Sequence, residues 1–296
     1  MRKPLILVSL LILSLVLGCT GKRVKLEYKF KKGDVLRYKQ ITTAKVEFKM
    51  TNRKPETISI KKEMYQTIKI EDIDNKGVAQ ANETIEGVIE NERNGEKTSE
   101  FFDFSNRPIL MSITKEGKTE IKNWEECKAI FKELEMPAIM DQFFPLLPEK
   151  KIKVGDSWTY DVRLTSLLFD TPPLTIQFKD NLVGFEKMGG YDCAKILSVG
   201  SIEVPMQKGK VLIPKFGKKT EVTIKDSKIK RELTTHFAYK EGKPIRMDGK
   251  ITAEEKRIYK RLRRGREQSW EVDVESEVSF VLTEATAEEY KAWKEE

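Results

Sequence analysis

The sequence predicts a mainly β fold: two related, curved antiparallel sheets, half-barrel-like, with an amphipathic helix near 124–143. Three observations predict it. Long stretches alternate apolar and charged residues with a period of two, Gly- or Asn-bearing turns separate them, and one stretch repeats its apolar residues at helical spacing.

The chain opens with Met1-Arg2-Lys3, a short positive start, followed from Pro4 to Leu17 by 14 uncharged residues rich in Leu, Ile and Val. Val16-Leu17-Gly18-Cys19 then places a small residue before a cysteine. That is the order of an export signal, and the apolar run is short of the roughly 20 residues that cross a bilayer as a helix. The end of the run resembles the lipobox of bacterial lipoproteins. The resemblance implies that residues 1–18 are removed and that Cys19 becomes an acylated first residue.

Strands follow. On 35–50, Leu36, Tyr38, Val46, Phe48 and Met50 share one face against Arg37, Lys39, Lys45, Glu47 and Lys49. On 58–71, Ile58, Ile60, Met64, Ile68 and Ile70 oppose Lys61, Glu63, Lys69 and Glu71. Near the end, Trp270, Val272, Val274, Val278, Phe280 and Leu282 oppose Glu271, Asp273, Glu275 and Glu277. Each strand therefore buries one face and wets the other. Strands of 12–16 residues at about 3.3 Å per residue run roughly 40–50 Å, which requires a large curved sheet.

Turn chemistry divides the strands at Asp74–Gly77, Asn94-Gly95, Lys115–Lys118, Met188–Gly190, Glu241-Gly242 and Asp248-Gly249, where Gly or Asn takes positive φ most cheaply. The expected arrangement is a meander of hairpins. The helix is read from Trp124, Cys127, Phe131 and Leu134, with Asn123 as its N-cap and Pro137 breaking the run. Pro145-Leu146-Leu147-Pro148 then forces an extended linker.

Two landmarks recur in order. Gly33-Asp34-Val35-Leu36-Arg37-Tyr38 matches Gly155-Asp156-Ser157-Trp158-Thr159-Tyr160, and Lys115-Glu116-Gly117-Lys118 matches Lys240-Glu241-Gly242-Lys243. Tandem related units follow: a first β unit with a C-terminal helix over 19–148, and a second over 149–296.

The formal charge of +8 falls to about +6 once Arg2 and Lys3 leave with the leader. With 34% charged residues of both signs interleaved, this is a solvated surface. Export and the lack of a concentrated basic domain argue against a nucleic-acid partner. With Cys19 taken by lipid, Cys127 and Cys193 remain, as a disulfide or as two buried thiols.

Chemistry-bearing constellations are sparse. Asp34 and Asp156 read as strand-entry caps that bond backbone N–H groups. His236 is the only histidine, so no multi-histidine metal site exists, and neither a G-x-S-x-G motif nor a Gly-rich phosphate loop is present. No cofactor and no catalytic residue are expected. The run Lys260, Arg261, Arg263, Arg264 and Arg266 lies at the tip of a hairpin between strands near 250–261 and 267–283. It reads as a contact for anionic headgroups or as a solvated loop that guards a sheet edge. Trp124, Phe131, Met140, Phe143 and Phe144 are candidates to line an apolar concavity between helix and sheet, or to be core.

Leu26–Asp34, Phe144–Pro148 and Val154–Trp158 resemble stretches of an uncharacterised family of bacterial envelope lipoproteins. That family has no established activity to carry over. The architecture is also similar to half-barrels that carry lipids or lipoproteins across the periplasm. The expectation is a non-enzymatic, lipid-anchored envelope protein that binds a lipid or other apolar ligand. The alternative is a structural or protein-binding lipoprotein with a filled core, engaging an envelope partner. Thr20 after Cys19, in place of Asp, implies an outer-membrane address facing the periplasm where the host has that membrane.

Overall fold

The computed structural model describes residues 23–295 except 52, 94, 135, 137, 141, 143, 168–171, 214–217 and 264–265. In chain order the strands are β1 (Val35–Met50), β2 (Glu56–Ile73), β3 (Ala79–Arg93), β4 (Glu96–Asp103), β5 (Ile109–Ile113) and β6 (Thr119–Ile121). Helix α1 (Trp124–Glu133) and β7 (Ala138–Met140) follow. Then come β8 (Ser157–Ser166), β9 (Leu174–Met188), β10 (Tyr191–Val204), β11 (Gln207–Ile213), β12 (Lys218–Ala238), β13 (Lys243–Arg263), β14 (Arg266–Glu284) and helix α2 (Ala287–Glu295). The strands expected from alternation are present; β1 has the expected bounds, and others run longer, with β12 and β13 each reaching 21 residues.

All the described strands belong to one antiparallel sheet, ordered β6-β5-β3-β2-β1-β14-β13-β12-β10-β9-β8-β7, with β4 paired to β3 and β11 to β12. The two expected sheets are thus halves of one. The join is β14, which bonds β13 on one side and β1 on the other, from Tyr38↔Glu284 to Met50↔Val272. An unjoined β1 would present a long row of free backbone groups, and this pairing satisfies them.

The halves share a strand order, β1-β2-β3-β5-β6 and β8-β9-β10-β12-β13. They also share their entry turns. Lys31 N donates to Asp34 Oδ2 at 2.7 Å, and Lys153 N to Asp156 Oδ2 at 3.0 Å. Gly33 N reaches Ile70 O and Gly155 N reaches Leu182 O, both at 2.8 Å. Gly33 and Gly155 take φ of 87° and 91°, which only glycine adopts without strain. The segment around Pro145–Pro148 is tied to both halves. Leu147 N bonds Glu116 O, and Trp158 Nε1 bonds Leu146 O.

The main core lies on one face at the end where these turns gather. Ile70, Ile109, Met111 and Ile113 from the first half meet Leu182, Ile196 and Phe237 from the second. Leu26 and Tyr28 fill the middle, with the Tyr28 ring edge-on to Phe144 at 5.4 Å and to Phe237 at 5.2 Å. The leading segment is therefore a central plug of the core.

Three local readings change. The expected helix stops at Glu133, and 138–140 pair as β7 with β8. Asn123 does not cap α1 with its side chain. Instead Oδ1 accepts from Leu110 N at 2.7 Å and Nδ2 donates to Pro108 O at 2.8 Å, which ties the helix start to β5. Asp248-Gly249 is no turn but lies inside β13, where Gly249 pairs with Phe280 and leaves room for its ring.

Candidate functional site

The period of two gives the sheet a core face and an open face, and the open face carries a concavity of about 1090 Å³. Its floor is a cross-strand row fixed by register. Ser99 faces Glu90, Glu90 faces Lys61, Lys61 faces Thr43, and Thr43 faces Ser279. Hydroxyls from Thr43, Ser59, Thr252 and Ser279 line it with Lys45, Lys61 and Lys97 against Glu47, Glu90, Glu92, Glu254, Glu275 and Glu277. The lining is net −3 on a chain that is +8 overall.

Its ion pairs are open to water. Lys250 meets Glu277 at 3.0 Å, Lys61 meets Glu90 at 3.4 Å, and Lys97 meets Glu92 at 3.7 Å, with every partner about half exposed or more. Such pairs contribute about 0–1 kcal/mol each, so an incoming polar partner exchanges them at little cost. Below the concavity an apolar strip includes Ile41, 37% exposed, and Phe101, 61% exposed. Next to it α2 lies on the same face, with Trp293 4.5 Å from the Tyr65 ring and Lys294 Nζ 2.9 Å from Glu86 Oε2.

The candidate apolar site is packed. Trp124 and Phe131 lie against the main core and Phe144 is inside it, 4% exposed. The space between α1 and the sheet is filled by Cys127, Ile130, Leu134 and Leu147. Met140 pairs through its backbone with Leu164 in β8, while its side chain and Phe143 lie outside the described residues. Of the basic run, Lys260 pairs with Ser269, and Arg263 pairs with Arg266 at the end of the β13–β14 ladder. The side chains of Arg261, Arg263 and Arg266, all of Arg264, and Cys19 lie outside the described residues. Cys127 and Cys193 are free thiols, both buried. His236 is buried mid-strand with Nε2 2.5 Å from Glu186 Oε1.

Two buried polar features escaped the sequence. Asp180 is 1% exposed, and burial pushes its carboxyl up to about 6 against the pull of Ser198, Arg231 and Tyr160. The Arg231 guanidinium stacks 4.5 Å above the Phe178 ring. Glu83 is 3% exposed, and burial alone pushes it up to about 7. The available signal was a carboxylate in core phase: Asp180 follows Ile176 and Phe178, and Glu83 follows Ala79 and Ala81, at steps of two. Among the described residues, no group of three or more His, Cys, Asp or Glu side chains is placed to hold a metal ion.

No protein-family model matches this chain, and no curated protein does. Among solved structures it is similar to OpdQ of Pseudomonas aeruginosa at 7% identity and a TM-score of 0.22, over 86% of this chain and 99% of that one. A likeness at that level carries no argument about fold or function.

Proposed function

We propose that this chain is a non-enzymatic envelope lipoprotein, anchored through an acyl group on Cys19, that binds a protein partner on the open face of its sheet. One observation carries the choice of site. The large concavity is lined mostly by charged and hydroxyl-bearing residues and spans β1 to β4, β13 and β14, whereas the described space beneath α1 is filled. A polar, exchangeable lining suits a transient protein contact, whose interface is about as polar as the rest of the surface. Ile60 is the one large apolar residue in its lining, where a lipid pocket is lined predominantly by aliphatic and aromatic side chains. The envelope address, facing the periplasm where the host has an outer membrane, rests on the lipobox-like end of the leader.

The test uses photo-crosslinking residues at Thr43 and Ser279 in the concavity, with Lys132 on the outer side of α1 as control. A discrete envelope partner is expected from positions 43 and 279 and none from 132. Silence at both concavity positions, together with an acyl-chain ligand recovered by native mass spectrometry of the purified protein, overturns the reading. That outcome favours an apolar ligand beneath α1.

A further inference from the structure

We infer that a basic collar formed by residues 23–32 and 149–153 is the surface that meets the membrane, and that it fits anionic lipid headgroups. This deepens the anchorage at Cys19 proposed above and rests on it.

Chain length supplies the first argument. Val24 is held in the fold by paired bonds with Ile152: Val24 N donates to Ile152 O at 2.8 Å and Ile152 N to Val24 O at 2.9 Å. Five peptide steps separate Val24 from Cys19, a span of at most about 18 Å. A lipid on Cys19 therefore keeps the Val24–Ile152 bridge close to the bilayer surface.

Charge supplies the second. The two stretches hold eight Lys and Arg against Glu27 and Glu149. Arg23, Lys29, Lys31, Lys32, Lys150 and Lys151 are exposed. The neighbouring carboxylates of Asp34 and Asp156 are turned onto backbone N–H groups within their turns. Lys32 leans on Asp72 at 3.1 Å, but both are well exposed and water loosens the pair. The collar is also rigidly held, because Lys25 Nζ donates to Glu149 O, Lys29 N to Gly242 O at 3.2 Å and Lys29 Nζ to Lys240 O at 2.9 Å. Each exposed cation near an anionic surface strengthens partitioning about fivefold, and a polybasic patch is a common second signal beside an acyl chain.

Distance supplies the third. β13 starts at Lys243, beside the collar, and runs 21 residues to Arg263, a contour of roughly 70 Å. The collar and the Arg263–Arg266 end of the β13–β14 ladder therefore occupy opposite ends of the sheet. With the collar down, that end of the ladder lies far from the anchoring membrane, and the concavity stands off the surface within reach of a partner.

The experiment uses the full chain, expressed in a bacterium and reconstituted into vesicles of phosphatidylcholine with or without phosphatidylglycerol. A fluorophore is placed at Lys151→Cys or Glu254→Cys, the buried Cys127 and Cys193 being protected, and quenched by spin-labelled headgroups. Strong quenching at 151, little at 254, and dependence on phosphatidylglycerol are expected. The triple variant Lys31→Glu, Lys32→Glu, Lys150→Glu should lower quenching at 151 at least tenfold at unchanged far-UV circular dichroism. Equal quenching at both positions, stronger quenching at 254, or indifference to the triple variant or to lipid charge overturns the collar, as does crosslinking of the collar to an acidic protein instead. The mass of the N-terminal peptide reads the anchor separately. An acylated chain without the 151-over-254 difference sinks the collar and leaves the anchor, and an unacylated chain that keeps the difference does the reverse.

Discussion

Glu83 of β3 and Cys127 of α1 are both buried, and the Glu83 carboxyl lies near enough to act on the Cys127 thiol. Burial pushes the carboxyl up to about 7, and burial with the nearby Glu83 pushes the thiol up to about 12. Glu83 Oε2 has no hydrogen-bond partner among the described residues. The first half of the sheet thus holds a carboxyl that packs well only when protonated.

The pH dependence follows. Between the ordinary carboxylate value and about 7 the folded state holds a proton that the unfolded chain has released, so stability falls as pH rises through this window. A neutral Glu83 contributes fully below about 4.5, and its contribution is gone above 7. Glu83→Gln should flatten the decline and raise stability at pH 8 by about 1–3 kcal/mol. Urea unfolding of both proteins at pH 5 and pH 8 measures it, and a variant no more stable than its parent at pH 8 rejects the account.

Removing the Lys294 charge strands Glu86. That carboxylate is buried beneath α2, where Lys294 Nζ lies 2.9 Å from Oε2 and the Tyr290 hydroxyl donates to Oε1. Lys294 is 45% exposed, so water reaches the pair and tempers the loss. Lys294→Met should destabilise by about 1–2 kcal/mol, and adding Glu86→Gln should recover most of it. Thermal unfolding of the two single variants and the double variant tests the coupling, and additive effects would refute it.

Gly249 exists for Phe280. A Cβ at 249 would overlap the Phe280 ring, which lies across the neighbouring strand at the register-matched position. Gly249→Ala should cost about 1–3 kcal/mol by overpacking. Phe280→Leu made on top of Gly249→Ala should be milder than Phe280→Leu alone, because the ring no longer fits. A double-mutant cycle by chemical denaturation gives the sign, and a coupling energy near zero speaks against the contact.

Both thiols should be silent in the native state. Cys127 and Cys193 are fully buried, and burial raises each above its ordinary value, so neither is accessible nor ionised near neutral pH. A thiol-reactive dye should label neither until denaturant is added, then both, with or without prior reduction. Immediate labelling of the folded protein would contradict this burial.

Alternation exposed the strands because each residue's face depends only on the parity of its position. The same rule identified the wet side of β1, β2 and β14. It failed at Asp248-Gly249, since glycine serves a turn and a close ring contact equally well and the partner lies 31 residues away at Phe280. Asn123 misled for a related reason, its amide reaching two backbone atoms beside β5. The filled space under α1 could not be read either. Tyr28, which occupies that core, comes from a segment 96 residues before Trp124.

What the sequence determined alone is local: long two-faced strands, glycine turns and one short apolar helix. What the tertiary structure decided is which edges meet. The union of two half-sheets through β14 and β1, the plug of Leu26 and Tyr28, and the concavity across β1 to β4, β13 and β14 all depend on distant pairings. Periodicity encodes the face a side chain takes, but the neighbour across a strand gap is chosen by backbone hydrogen bonding and packing of the whole chain.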